Sequence, residues 1–412
     1  FVALGSYGAG ATRYRGGLLR AAGLEHLSYG HGRALMDVLL TAGIFGLVVA
    51  WVLLWKTRPG LAQVRRSVCW WAGILAVSAP ILSRDVYSYL MQGAMLRDGY
   101  DPYSEGAAVN PGPYLWEVSH DWRNTTTPYG PLHLWMGKGV TQLVGDHVAA
   151  GIIVYKIVSV IGFAAIAWSI PRLARAIGGD PALALWLGVA NPVMILHLIG
   201  GMHNESVMVG LVSLGLLAAV HHKFHASLLL VGIAVSLKAT AVFAAPFIVW
   251  LMVHHWAPEG TKALKRVGIF LLSGIIAVAE VASAVAVITW ASGSSWGWLS
   301  QISGNSKVIN PLAGPTLLAD VLVPLIQFFS PETTYNGVLG VLRSAGMVLM
   351  LLGLVLVWWW GRTGVRRAIA ATAAAYQVAF IFNSVTLPWY SPSASTLMRT
   401  SPPPLPTPSS SE

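Results

Sequence analysis

The chain has 412 residues, is 55% hydrophobic and carries only 10% charged residues, where a soluble domain carries about 25%. With a mean hydropathy of +0.63, this excludes a soluble globular protein and predicts a polytopic membrane protein. The net charge of +10 implies no nucleic-acid partner, because Lys and Arg sit in short pieces between apolar segments and not in a run that tracks phosphates. A single cysteine, Cys69, excludes an intrachain disulfide framework and a Cys-rich metal site.

Crossing roughly 30 Å of hydrocarbon takes about 17 to 25 apolar residues. Runs of this kind fall at 35–55, 68–83, 149–170, 181–199, 205–220, 267–290, 338–360 and 368–386, with less regular stretches at 130–145, 226–254 and 312–329. They predict about ten membrane segments, and near-continuous apolarity without alternation makes them helices and not barrel strands. The fold class expected is therefore an all-α polytopic membrane helix bundle.

Basic residues orient the segments. Lys56, Arg58, Arg65 and Arg66 follow the first run, Arg172 and Arg175 follow 149–170, Lys262, Lys265 and Arg266 precede 267–290, and Arg362, Arg366 and Arg367 precede the last. These loops are expected in the cytoplasm. The first long loop, from Arg84 to Asp146, then lies outside with the 200–206 turn and the 291–311 loop. Arg13, Arg15, Arg20 and Arg33 near the start run against this orientation and are outvoted by the four later loops.

If 221–225 and 255–266 are both cytoplasmic, 226–254 must enter and return, yet its 29 residues are too few for two full spans. A re-entrant or broken pair follows, with Lys238 near its tip lining a cavity. The alternative is one long tilted helix whose lysine snorkels to the surface.

The outer loop opens with SRDVYSYLMQGAMLRDGYDPYSE, residues 83–105. On a helix, Asp85, Tyr89 and Gln92 share one face, and Val86, Leu90 and Gly93 another, which describes an amphipathic helix with its polar side toward a site and its apolar side toward lipid. The alternative is that Asp85 pairs with Arg84 or caps the helix. Further polar clusters reach the same side: GYDPYSEG at 99–106, TTTPYGPLHLW at 125–135, and NPVMILHLIGGMHNES at 191–206. Ionisable groups converging at a membrane face point to function, although Glu205 in the first turn of a helix is also favourable by its charge alone. No HExxH, GxxxxGK[ST] or GxSxG motif is present, and no His and Cys pair at zinc spacing.

SRDVYSY…DPY, PYGPL and NPVMILHLIGGMHN, in this order and at these spacings, resemble the polyprenol-phosphate-mannose-dependent α-1,6-mannosyltransferases that build the lipomannan core in actinobacteria, a branch of the GT-C glycosyltransferases. Within it the motifs look closer to the branch called MptB than to MptA. The resemblance runs from about Gly5 to Tyr390. It implies a GT-C type bundle with the active site on the extracytoplasmic side of the cell membrane, and Asp85 matches the family's acidic residue in the first outer loop. It implies a polyprenyl-phosphate-mannose donor, a mannan or phosphatidylinositol mannoside-type acceptor, inversion at the anomeric carbon, the lipid bilayer as partner, and no cofactor.

Chemically, Asp85 is the expected base for the acceptor hydroxyl, and positive charge near the leaving phosphate is the expected electrostatic aid. Arg84, Arg123 and Lys238 are the candidates for that charge, and His203 for a hydrogen-bond donor. Tyr87, Tyr89, Tyr103 and Tyr129 offer aromatic faces and hydroxyls to sugars, and Gln92, Asp101, Asn204 and Glu205 complete the candidate substrate-binding set. No carboxylate cage for a metal is expected. A transporter or lipid flippase would also need broken helices and intramembrane charge, but nearer the midplane and at repeat interfaces. The transferase domain is expected over 1–390, incomplete at both ends, since Phe1 opens without a methionine and LPWY at 387–390 runs into a Pro/Ser-rich stretch. That stretch, 391–412, is expected to be a disordered tail.

Overall fold

A computed structural model describes residues 1–304 and 309–384; LPWY and the Pro/Ser-rich tail lie outside the described residues. Among these the chain is an all-α membrane helix bundle with no strand, as the near-continuous apolar runs require. Each run identified in the sequence overlaps at least one helix within the described residues, and those at 181–199 and 226–254 fall on two. Among the described residues five helices are long and apolar enough to cross a membrane: Gly30–Lys56, Val148–Ala176, Ala239–Trp256, Ala263–Ser292 and Tyr335–Gly361. The pair Pro181–Gly188 and Pro192–Gly200, bent by 57°, makes a sixth when taken as one broken span.

Five or six is fewer than the ten expected, and the difference has physical causes. Proline at 192 disfavours helical backbone at the residue before it, and Asn191 opens a new helix there by accepting the Val193 N–H at 2.9 Å. Glu205–Val220 is only 16 residues long and is buried over most of its surface, a helix of the protein core. Phe224–Leu237 and Gly314–Phe329 are likewise short apolar helices. The run at 68–83 sits on a helix that starts earlier and stops at Ala76, because Pro80 and left-handed Leu82 (φ +63°) cannot continue it.

The stretch 226–254 folds back on itself as a broken pair. Phe224–Leu237 ends at Lys238, whose backbone is extended (φ −151°, ψ 123°), and a 3-10 turn leads into Ala245–Trp256. The two arms meet again at their far ends. The His222 and His255 rings stack at 4.1 Å, and Phe224 meets the edge of Trp256 at 5.5 Å. Lys238 therefore sits at the tip of a hairpin, and a single tilted helix is excluded.

Aromatic pairs lock other crossings. Trp51 and Trp186 stack at 4.5 Å, and each indole N–H donates to the other's backbone carbonyl, at 3.0 and 2.9 Å. Both indole donors are thus satisfied.

The Asp85–Arg97 helix departs from expectation on its apolar side. Val86 and Leu90 are fully buried in protein and not turned to lipid. The cause is close backbone approach to Pro131–Val144: a Cβ on Gly93 would overlap the Gly137 backbone. Small residues that let helices touch are the usual device where no hydrophobic drive separates protein from lipid. Gly93→Ala is accordingly expected to destabilise the protein by about 1 to 3 kcal/mol or more through overpacking. Gly139→Ala, on the same Pro131–Val144 helix with nothing within 4 Å of its Cβ position, should be neutral or slightly stabilising. Thermal unfolding of both variants in detergent micelles checks this, and equal melting curves would contradict it.

Candidate active site

Several irregular stretches converge at one end of the bundle. The segment before Asp85 meets the turn before His203, with Ile81 N–H donating to the Gly200 carbonyl at 3.1 Å. The PYGP turn docks on the hairpin tip through Gly130 N–H to the Leu237 carbonyl at 3.0 Å. The loop after Ser292 joins through Ser295 Oγ to Asp101 Oδ2 (2.8 Å), Gln301 Nε2 to the Tyr103 carbonyl (2.8 Å) and Thr126 Oγ1 to Gln301 Oε1 (2.7 Å). The convergence expected of the outer motifs is therefore real, whichever side of the membrane they face.

At its centre is a carboxylate held by a buried imidazole. Asp85 Oδ2 lies 3.2 Å from His203 Nδ1, with His203 fully buried and the Asp85 side chain 18% exposed. The Tyr89 hydroxyl, one helical turn on, donates to the same oxygen at 3.4 Å, as the shared helix face predicted. Burial, then neighbouring Tyr129, Asp85 and Glu205, push the Tyr89 hydroxyl well above its ordinary range, so it stays a donor. Burial alone would raise the Asp85 carboxyl. His203, by hydrogen bond and by charge, with Ser83 and Lys238, outweighs it and holds Asp85 below the usual carboxylate range. Asp85 is thus an anion, partly open and firmly oriented.

Beside it runs a neutral chain. Burial, reinforced by Lys238, lowers His133 to about 3, so one ring nitrogen donates and the other accepts. Nε2 donates to Gln92 Oε1 at 2.9 Å and Nδ1 accepts from Asn204 Nδ2 at 3.4 Å. Thr127 Oγ1 adds a second donor to Gln92 Oε1 at 3.1 Å. Tyr129 stands edge-on to Tyr89 at 5.5 Å and tilted over His133 at 4.5 Å.

Lys238 closes the far side. It pairs with Glu205, which is 1% exposed against 12% for the lysine, and stands 5.6 Å from the Tyr129 ring centroid. The hairpin tip, the start of the Glu205–Val220 helix and the PYGP turn are tied together by this one ammonium.

Asp85, Tyr89, Gln92, Tyr129, His203, Asn204, Glu205 and Lys238 are therefore brought together, and the other expected residues are not. Arg84 is absorbed by the loop: its guanidinium donates to the Glu117 carbonyl at 2.7 Å, to Glu117 Oε2 at 3.3 Å and to the Thr12 carbonyl at 2.6 Å, and covers the Tyr14 ring at 3.6 Å. Glu117 also takes Arg13 Nε at 3.4 Å and Tyr14 N–H at 2.6 Å. This carboxylate explains how an arginine near the start sits at this end of the bundle. Tyr87 donates to the Ala11 carbonyl at 2.8 Å, and Arg123 to the Val118 and Trp116 carbonyls at 3.3 and 3.4 Å. Asp101 shapes its own turn by accepting Tyr103 N–H at 3.0 Å, so Asp101 and Tyr103 serve the loop contact with Ser295 and Gln301.

Asp98 is occupied by Arg97 and Asn110 and Glu105 by the Asp101 N–H. Among the described residues no group of three or more His, Cys, Asp and Glu that could hold a metal occurs. His133 went unselected in the sequence, although it follows PYGPL immediately; its partners Gln92 and Asn204 are remote in the chain, so only their joint polarity hinted at it.

The profile of the family described as "Alpha-(1->6)-mannopyranosyltransferase, N-terminal domain" matches residues 1–254. The protein named alpha-(1->6)-mannopyranosyltransferase A of Corynebacterium glutamicum is 53% identical over 98% of this chain and 86% of its own length. That of Mycobacterium tuberculosis with the same name is 36% identical over 94% of this chain and 76% of its own. The alpha-(1->6)-mannopyranosyltransferase B of Corynebacterium glutamicum is 26% identical over 94% and 69%. These identities rank the A relatives above the B relative, whereas the motifs alone looked closer to B.

The buried pair gives a stability test. Lys238→Met leaves the Glu205 carboxylate buried and unpaired, a change that costs about 3 to 5 kcal/mol. Adding Glu205→Gln should recover most of it. Thermal unfolding of the single and double variants in detergent reads both effects, and a single variant as stable as the parent would show that the pair does not hold the hairpin tip.

Proposed function

The chain belongs to the family of alpha-(1->6)-mannopyranosyltransferases, and from that premise we propose that it moves mannose from a polyprenyl-phosphate-mannose donor to an α-1,6-mannan acceptor, with Asp85 as the base. The observation that carries the reading is the Asp85–His203 contact: an ionised, partly open carboxylate oriented by a buried imidazole and a tyrosine hydroxyl. Mannosyl transfer from a phosphate to a hydroxyl uses such a group, because the acceptor oxygen must lose its proton as it attacks.

The step balances simply. The acceptor O–H proton passes to the Asp85 carboxylate, the acceptor oxygen bonds to the anomeric carbon from the face opposite the phosphate, and the C1–O bond to phosphate breaks with its electron pair leaving on the phosphate. Attack from the opposite face inverts the centre. A phosphate leaves readily as an anion, so no general acid is required, and positive charge nearby stabilises it. Lys238 is the cation suited to this role, since Glu205 fixes it at the hairpin tip and 12% of it stays exposed. Arg84 and Arg123 lose that role because loop carbonyls and Glu117 occupy them. Gln92, His133 and Asn204, a fixed line of donors and acceptors flanked by Tyr129, are suited to reading sugar hydroxyls.

A lipid-linked donor also fits the architecture, because no strand occurs among the described residues and a nucleotide-sugar domain of the doubly wound kind would need them. The GT-C class, the lipomannan core as product and the cell membrane as location follow from the same reading. So does an extracytoplasmic first loop, supported by the basic loops after Gly30–Lys56 and before Val365–Phe382. Family membership sets the transporter alternative aside.

Asp85→Asn keeps the shape and removes the base. Turnover is expected to fall about 10²- to 10⁴-fold, with the folded yield unchanged; near-parent transfer by the folded variant would sink the assignment. Orientation has its own test. In a chain lacking Cys69, a cysteine replacing Ser104, which is exposed, should react in intact cells with a membrane-impermeant thiol reagent, and one replacing Thr363 should not. The reverse pattern would invert the topology.

A further inference from the structure

Lys156 belongs to none of the groups above. It lies in Val148–Ala176, 6% exposed, and the four oxygens within reach of its Nζ are all neutral: the Ile199 carbonyl at 2.8 Å, Ser78 Oγ at 3.3 Å, and the Leu75 and Gly200 carbonyls at 3.4 Å each. A lysine nitrogen inside an apolar bundle needs compensation. Two helix C-termini supply it. Leu61–Ala76 ends beside Leu75 and Ser78, and Pro192–Gly200 ends at Ile199 and Gly200. The last carbonyls of a helix lack intrahelical partners and carry the negative end of its dipole, so one lysine caps both.

What leaves those two ends matters most. From the first, residues 77–84 lead to Asp85; from the second, Gly201 and Met202 lead to His203. Each lead holds a non-glycine residue in the left-handed region, Leu82 at φ +63° and Met202 at φ +55°. Such backbone persists only where its surroundings over-determine it. The two leads are also bonded to each other through Ile81 N–H and the Gly200 carbonyl, and a side chain on Gly200 would strike that of Ile81.

We propose that Lys156 is a positioning residue for sugar transfer: its side-chain nitrogen ties together the two helix ends whose outgoing segments carry Asp85 and His203, and so fixes the contact between that carboxylate and that imidazole. It acts through these segments and touches neither substrate. The proposal rests on Asp85 serving as the base.

The test uses the full chain purified in detergent, with Lys156→Met, which removes every donor, and Lys156→Gln, which keeps two. Lys156→Met is expected to lower kcat about 10- to 100-fold, as small misplacements of reacting groups do, while donor KM stays within about threefold. Lys156→Gln should recover part of that loss. Hydrogen exchange supplies a readout independent of activity: peptides spanning 77–87 and 196–206 should lose protection in Lys156→Met, and peptides from Tyr335–Gly361 should not. A folded Lys156→Met with kcat within twofold of the parent overturns the proposal. So does protection lost uniformly over the bundle, which marks general destabilisation, or retained in both segments. If Lys156→Met does not fold, Lys156→Gln decides: a turnover equal to the parent's with unchanged exchange overturns the proposal, and reduced turnover with local loss of protection supports it. Failure of the base assignment is separate, since that shows as an active Asp85→Asn while the exchange result stands by itself.

Discussion

An ionised carboxylate inside an apolar bundle is the constraint from which the rest of this structure follows. Asp85 keeps its charge because His203 and Tyr89 bond the same carboxylate oxygen, and both partners are buried. In water these contacts would contribute little; away from water each unpaired polar group is costly. The charges near Asp85 therefore come with fixed partners, Lys238 with Glu205, and His133 is kept neutral between Gln92 and Asn204. The polarity that chemistry requires is gathered in one cluster, in which Asn204 Oδ1 and Glu205 Oε2 stay buried without a hydrogen bond.

That network needs irregular backbone, and the helices are interrupted where it lies. Leu61–Ala76 stops short, Pro192–Gly200 stops before His203, and the hairpin from Phe224 to Trp256 breaks at Lys238. Broken helices at membrane depth are tolerated where protein or a wet cavity takes up the freed groups. Here the freed carbonyls of two helix ends meet Lys156, and the Leu237 carbonyl meets Gly130 N–H. The long continuous helices, Ala263–Ser292 and Tyr335–Gly361 among them, expose much apolar surface and frame the interrupted ones.

Local signals carried much of this into the sequence. Apolar run length gave the long helices but not Val2–Ala9 or Pro113–Glu117, helical spacing put Asp85, Tyr89 and Gln92 on one face, and the shortness of 226–254 put Lys238 at the tip of a hairpin. Length counted poorly for the number of spans, since Glu205–Val220 is as apolar as a membrane helix and is instead a core element. Apolarity also failed to say what Val86 and Leu90 face, because lipid and protein interior ask for the same residue types; the Gly93–Gly137 contact decides that, and it joins two helices. For the same reason the arginine that neighbours Asp85 in sequence is not its partner. Arg84 is claimed by Glu117, a residue that no local pattern singled out, while His203 arrives from a distant turn. Partner choice is a tertiary property, and His133 and Lys156 were illegible on that account.

The central claim is that the Asp85–His203 end of the bundle transfers mannose from a lipid-linked phosphate. Its most direct test is transfer by the purified protein in lipid vesicles, supplied with labelled mannosyl phosphopolyprenol and a short α-1,6-mannoside. The account predicts that the acceptor gains an α-linked mannose from the lipid donor and none from GDP-mannose alone. Elongation from GDP-mannose in the absence of any lipid-linked donor would contradict it.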